Sequence, residues 1–137
     1  MPATMKLELV TPESRELTEE IEAISLPSAD GEIMVYPGHV PLVTILVPGE
    51  LTLLRKGKEE ILAVGEGFVM VTTDTVAVVT DMAIEAASID EAKAEEARQQ
   101  AEKRLHQKLS DEEAATVSAT LSKSLAQLNV KRRMHGR

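Results

Sequence analysis

The chain reads as an amino-terminal antiparallel β-sandwich of about ten short strands followed by a carboxy-terminal antiparallel helix hairpin. Two observations predict this β + α class. Between Met5 and Ala86, short aliphatic and β-branched runs are broken by turn residues about every eight to ten positions. After that, Ser88-Ile89-Asp90-Glu91 and Ser110-Asp111-Glu112-Glu113 each have the form of a capping box that opens a helical period. The division places a sandwich domain at 1–86 and a helix-turn-helix domain at 87–137.

The first strand shows the plainest alternation: Met5, Leu7 and Leu9 interleave with Lys6 and Glu8, the period of a half-buried strand. Thr11-Pro12-Glu13-Ser14 makes a turn. Further strands are expected at Ile21–Leu26, Glu32–Val35, Leu42–Val47, Leu51–Arg55, Glu60–Val64, Phe68–Val71, Thr75–Thr80 and Met82–Ala86. Lys56-Gly57-Lys58, Gly65-Glu66-Gly67 and Thr73-Asp74 separate the later ones, the glycine pair reading as a hairpin or bulge. Turn chemistry is densest from Leu26 to Leu51, with Asp30-Gly31, Pro37-Gly38-His39, Pro41 and Pro48-Gly49. Proline sets φ and glycine permits positive φ, so the Tyr36–Pro41 backbone is largely predetermined. Glu32, Tyr36 and His39 sit on that rigid frame, where polar groups usually meet a partner.

In the helical half, Ala94, Ala97, Ala101 and Leu105 form one apolar stripe. Ala114, Val117, Leu121, Leu125 and Leu128 form another, completing an αα-hairpin. Alanine buries little area, and at about 25 cal/mol per Å² the first helix docks weakly. The hairpin is therefore expected to be helical but only marginally fixed.

Composition removes several classes of function. With no cysteine there is no disulfide or thiolate site, and a reducing compartment is expected. Tyr36 and Phe68 are the only aromatics, too few for the stacking platforms of single-stranded nucleic-acid binding. The start, MPATMKLELV, lacks a signal pattern, and the Val40–Pro48 run falls far short of the roughly 20 residues of a membrane helix. His39, His106 and His135 have no metal-ligand spacing, and neither a Walker A loop nor a G-x-S-x-G elbow occurs. On the residues alone no catalytic residue, metal or cofactor is expected, and the chain reads as a non-enzymatic interaction protein. A small hydrolase using His39 is the enzymatic alternative.

Charge is distributed unevenly. Residues 1–86 carry fifteen acids and five bases, whereas 87–137 carry eight acids and ten bases. From Ala114 onward Lys123, Lys131, Arg132, Arg133 and Arg137 meet no acid. Such a basic tail serves solubility and helix ends, or docks on an acidic surface; both readings stand.

Taken together, these motifs resemble the ε-subunit family of F-type ATP synthases over nearly the whole chain. The residues that carry the resemblance are Val10-Thr11-Pro12, Leu26-Pro27, Gly31-Glu32, Tyr36-Pro37-Gly38-His39, Pro41-Leu42 and Pro48-Gly49. Gly65-x-Gly67-Phe68, Ala83 and Ile89-Asp90-x-Ala92 continue it. The resemblance implies a subunit without catalytic residues, bound to γ and resting on the c-subunit ring at the foot of the central stalk. There it would turn with the rotor and link proton flow to ATP synthesis, peripheral to the cytoplasmic face of a bacterial inner membrane and not inserted in it. It further implies a hairpin that folds against the sandwich or extends to the catalytic α/β subunits and blocks ATP hydrolysis.

By the same resemblance, Glu32 and His39 belong to the surface that faces the c ring, with Tyr36 beside them. His39 reads equally as a turn histidine bonding a backbone carbonyl, whereas Tyr36 reads first as a packing residue between sheet and turn. Lys123, Lys131, Arg132 and Arg133 would meet acidic loops of the head when the hairpin extends. Some members bind ATP on the folded hairpin through an Ile/Leu-Asp-x-x-Arg-Ala motif. Here Asp90 remains but Lys93 replaces the arginine, and Gln100, Lys123 and Gln127 stand where such members carry arginine. A lysine offers a point charge instead of a planar fork, so ATP binding is expected to be weak or absent. A free-standing ATP-sensing protein is the alternative function, and an acidic β adaptor of another partner is the fallback.

Overall fold

The computed structural model describes residues 4–12 and 16–135. Among these, ten strands precede two helices: β1 (Met5–Val10), β2 (Glu16–Ile21), β3 (Ala23–Ser28), β4 (Gly31–Val35), β5 (Leu42–Leu46), β6 (Gly49–Arg55), β7 (Lys58–Val64), β8 (Gly67–Val71), β9 (Thr75–Thr80), β10 (Ala83–Glu85), α1 (Glu91–Leu105) and α2 (Asp111–His135). A single 3-10 turn, Ala86–Ser88, joins β10 to the hairpin. The predicted β-sandwich followed by a helix hairpin is the observed fold.

One hydrogen-bonded path runs β10-β7-β6-β3-β5-β8-β9-β1-β2, with β4 paired to β3. β3 contacts β6 through Ala23–Ser25 but β5 only at Ser28–Leu46, so the path changes layers at that bridge. β1 lies parallel to β9; the other pairings are antiparallel. Alternation puts Leu7, Leu9, Val69, Val71, Val76 and Val78 of one layer against Ile24, Leu26, Leu51, Leu53, Leu62 and Val64 of the other. Each fully buried Val, Ile or Leu contributes about 1.5–3 kcal/mol, which makes this core the dominant source of stability.

β7 breaks the alternation: Ile61, Leu62, Ala63 and Val64 are all buried. Leu62 and Val64 enter the main core, while Ile61 and Ala63 join a second cluster with Ala86, Ile89 and Val130 of α2. A continuous apolar run in a strand is the pattern expected when both faces are covered. α2 is what covers the second face, and it packs across β6, β7 and the 3-10 turn.

The turns follow their chemistry. Tyr36–His39 closes with the His39 N–H donating to Tyr36 O at 3.2 Å, and Gly38 has φ +88°. Proline before a positive-φ glycine is the requirement of a type II turn. Lys56 and Gly57 both take positive φ, 52° and 74°, as a two-residue hairpin of the I′ kind demands. At Gly67 the reason is space, because an added Cβ would lie 1.8 Å from Val79 O.

Three expectations are corrected. β2 was not expected as a strand, and the predicted Ile21–Leu26 run is split at Glu22 between β2 and β3. β2 ends the hydrogen-bonded path, and an edge strand tolerates the exposed polar residues Thr18 and Glu20 that hid it. Next, Ser88 does not cap α1. Ile89 is drawn into the second cluster with extended backbone (φ −76°, ψ 127°), so the cap moves to Asp90, whose carboxylate accepts from the Lys93 N–H at 3.1 Å. Lastly, Leu105 and Leu125 are each 39% exposed although their spacing placed them inside. α2 meets both α1 and the sheet, so it buries Val117, Ser124, Ala126, Leu128 and Val130 over more than one stripe.

The second capping box holds as predicted, with Glu113 N–H donating to Ser110 Oγ at 3.1 Å and the Glu113 carboxylate 3.5 Å from the Ser110 N–H. Of the expected Thr11–Ser14 turn, Glu13 and Ser14 lie outside the described residues.

Candidate functional site

Two surfaces stand out, one on the sandwich and one where the hairpin meets it. On the sandwich, the β3–β4 hairpin turns through Ala29-Asp30, where Ser28 Oγ donates to Gly31 O (2.6 Å) and accepts from the Asp30 N–H (3.2 Å). Glu32 follows at the exposed start of β4, its carboxylate accepting from Ser25 Oγ at 2.6 Å. That bond holds the charge at a defined position. His39 Nδ1 lies 2.6 Å from Val40 O, the geometry of a ring N–H donating to a carbonyl. Of the two readings of His39, the carbonyl bond is therefore present, and it orients the ring without consuming Nε2. Gly38 N–H donates to Thr73 O at 2.9 Å, tying this turn to the β8–β9 loop.

Tyr36 is not packed beneath the turn. It is 55% exposed, with its hydroxyl 2.9 Å from the Met34 sulfur, and Met34 is itself 54% exposed. Both belong to an unusual amount of uncovered apolar side chain. Antiparallel register sets Val43 opposite Met70 and Ile45 opposite Phe68 on the outer face of β5 and β8. Their exposures are 70%, 47%, 62% and 46%, and Val40 reaches 73% in the turn before β5. A solvated sheet face normally carries polar residues at such positions, so a contiguous apolar quartet marks an interaction surface.

Val43, Ile45 and Met70 escape the sequence expectations, and Phe68 enters them only as an aromatic and a family-motif residue, not as part of a surface. A signal did exist. Phe68-Val69-Met70-Val71 has no polar position at all, and Leu42-Val43-Thr44-Ile45-Leu46 has one. Neither strand is covered on both faces as β7 is, so half of each run must face outward.

On the hairpin, four basic residues of α2 already have partners. Lys123 Nζ is 2.6 Å from Asp81 Oδ2, and Lys131 Nζ donates to Ala86 O at 3.2 Å. Arg133 pairs with Glu50, while Arg132 reaches Glu95 at 3.5 Å and Glu91 at 3.9 Å on α1. Glu95 is also hydrogen-bonded by Arg98, and that bond holds its carboxyl below the ordinary glutamate range. The carboxylate stays ionised at neutral pH and keeps both helices tied. Asp90 is occupied in capping α1, and Lys93 is exposed one turn on. Glu19 and Glu60 around Arg55 raise the guanidinium pKa further and brace β2, β6 and β7 instead of forming a site. Among the described residues no group of His, Cys, Asp or Glu is arranged to hold a metal.

Comparison with known proteins decides the family. The β-sandwich domain model of the ATP synthase delta/epsilon chain matches residues 4–86, and the long α-helix domain model of the same chain matches residues 88–132. The chain belongs to the ATP synthase delta/epsilon chain family. An ATP synthase epsilon chain from Herpetosiphon aurantiacus is 37% identical over 126 residues, covering 92% of this chain and 93% of the relative. Among solved structures, a chain of the Euglena gracilis mitochondrial ATP synthase, seen by cryo-EM in an OSCP/F1/c-ring assembly, superposes with a TM-score of 0.78. It is 26% identical, with 94% of this chain and 81% of that chain covered. A chain from the central stalk and c-ring of the Tetrahymena thermophila enzyme shares the fold at a TM-score of 0.62 and 16% identity, over 90% and 96% of the two chains. As a delta/epsilon chain, the protein is a non-catalytic subunit of ATP synthase.

Proposed function

We propose that this delta/epsilon chain is a rotor subunit of the central stalk of a proton-translocating ATP synthase. It turns with γ on the c ring and couples ring rotation to ATP synthesis, and its hairpin can extend to the α/β head and inhibit hydrolysis. One observation carries the reading: a rigid sheet presents Val43, Ile45, Phe68 and Met70 to solvent as a contiguous apolar face. Such a face suits a permanent protein partner, and γ is the partner assigned to it here. Glu32, Tyr36 and His39, at the turn end, are assigned to the polar loops of the c ring. Residues 1–86 then act as the rotor-binding domain and 87–137 as the regulatory one.

Membrane association is peripheral in this reading, at the cytoplasmic face of a bacterial inner membrane. Among the described residues no helix is long and apolar enough to cross a bilayer. The deciding experiment is affinity purification of the tagged chain from its native cells. Recovery of γ with c-ring subunits is expected, and recovery of the chain free of γ would end the proposal.

ATP sensing by the hairpin is a minor part at most. Asp90 is committed to the α1 cap, Lys123 to Asp81, and the Gln127 amide lies 3.2 Å from the Met82 sulfur. Calorimetric titration of the isolated chain with ATP should give a dissociation constant weaker than about 10 μM. Tighter binding would favour the ATP-sensor alternative.

A further inference from the structure

The basic residues of α2 are not scattered along it. Lys123, Gln127 and Lys131 recur every fourth position, one stripe of the helix. Their partners follow in the same order along the connection from β9 to the 3-10 turn: Asp81, Met82 and Ala86. Arg133 adds a fourth tie, to Glu50 at the start of β6. Beside this seam lies a small apolar cluster, in which Ile61, Ala63, Ala86, Ile89 and Val130 are buried and Met82 and Ile84 pack partly buried against them. The polar ties add to that contact in keeping α2 on the sandwich.

Asp81 is held ready for its partner. Its N–H donates to Glu66 O at 3.0 Å, and its carboxylate lies over Gly65, where a Cβ would stand 2.0 Å from Oδ1. The Gly65-x-Gly67 turn thus does more than reverse the chain: it leaves room for Asp81 to face α2. Pre-set acceptors lose less freedom when they engage a lysine.

We propose that Asp81 and Glu50 form an ionic latch that holds the hairpin closed by occupying Lys123 and Arg133. The latch acts as an internal acidic surface. While it is engaged, these two cations are unavailable to any acidic partner, so docking on the sandwich and docking elsewhere compete for the same charges. Only that last consequence rests on the proposed inhibitory hairpin; the latch itself is a property of the isolated chain.

Native hydrogen exchange on the full chain tests it, comparing the wild type with the Asp81→Asn/Glu50→Gln variant. Partly exposed ion pairs are weak singly, so the double variant should raise opening of the 123–131 segment roughly 3- to 10-fold at low salt. The difference should shrink towards unity in about 0.5 M salt, where screening has already weakened the wild-type latch. Amides of β1, β8 and β9 should exchange as before, which separates latch loss from misfolding. The swap Asp81→Lys with Lys123→Asp should restore protection that Asp81→Lys alone removes. Opening unchanged within twofold, or a change indifferent to salt, overturns the latch. Loss of protection with unaltered ATP hydrolysis by the assembled enzyme leaves the latch standing and overturns the inhibitory reading instead.

Discussion

Phe68→Glu, and separately Ile45→Glu, should strip the subunit from γ while leaving it folded. Phe68 and Ile45 face each other across β8 and β5 and are 46% and 62% exposed. In the isolated chain a carboxylate there still reaches water, so the cost is that of a poorer strand residue, about 1 kcal/mol or less. In a closed interface the same carboxylate would be desolvated beside apolar groups. Truncating an interface anchor commonly costs 2 kcal/mol or more, and an unpaired buried charge costs more still. At about 1.4 kcal/mol per factor of ten, affinity should fall by at least about 30-fold. Pull-down of γ together with thermal unfolding of the free subunit reads both effects. Normal γ recovery with either variant would remove this face from the proposed interface.

Deleting everything after Ser88 should raise ATP hydrolysis by the assembled enzyme without disturbing assembly. The deletion leaves the main core intact, because its buried residues run only from Met5 to Val78. It uncovers Ile61, Ala63 and Ala86, a small apolar patch on the outside of β7 and the turn after β10. The apolar quartet on β5 and β8 belongs to the other layer and is untouched. Coupling between regulatory and catalytic sites is typically worth 1–3 kcal/mol, so activation of about 5-fold or more is expected. Unchanged hydrolysis by a fully assembled enzyme would dismiss the inhibitory hairpin in this protein.

Much of the architecture is legible in short sequence windows. The Pro37-Gly38 turn, the Lys56-Gly57 hairpin and the Ser110–Glu113 capping box each depend on residues within four positions of one another. Local φ preferences and side chain-to-backbone bonds decide them, and these need no tertiary partner. The same holds for the alternation of Met5, Leu7 and Leu9, which identifies a half-buried strand wherever it lies.

Legibility ends where a residue's neighbour is distant in sequence. Ser88 has the better local claim to cap α1, yet Ile89 is pulled into a cluster with Ile61 and Val130, and the cap shifts to Asp90. The hairpin's own periodicity likewise put Leu125 inside, but α2 turns to satisfy the sheet as well as α1. For the turn residues, sequence named Glu32, Tyr36 and His39 without the exposed apolar strands beside them. The Val43–Met70 and Ile45–Phe68 pairs exist only through a register linking β5 to β8.

By itself, then, the sequence determined the class of fold, the turns, the family and the lack of catalytic machinery. Those follow from residue types, local spacing and a motif pattern spread over the whole chain. Only the tertiary structure decided which apolar side chains remain uncovered and which acids hold α2 down. Burial and ion pairing are properties of two surfaces brought together, and neither surface alone encodes the contact.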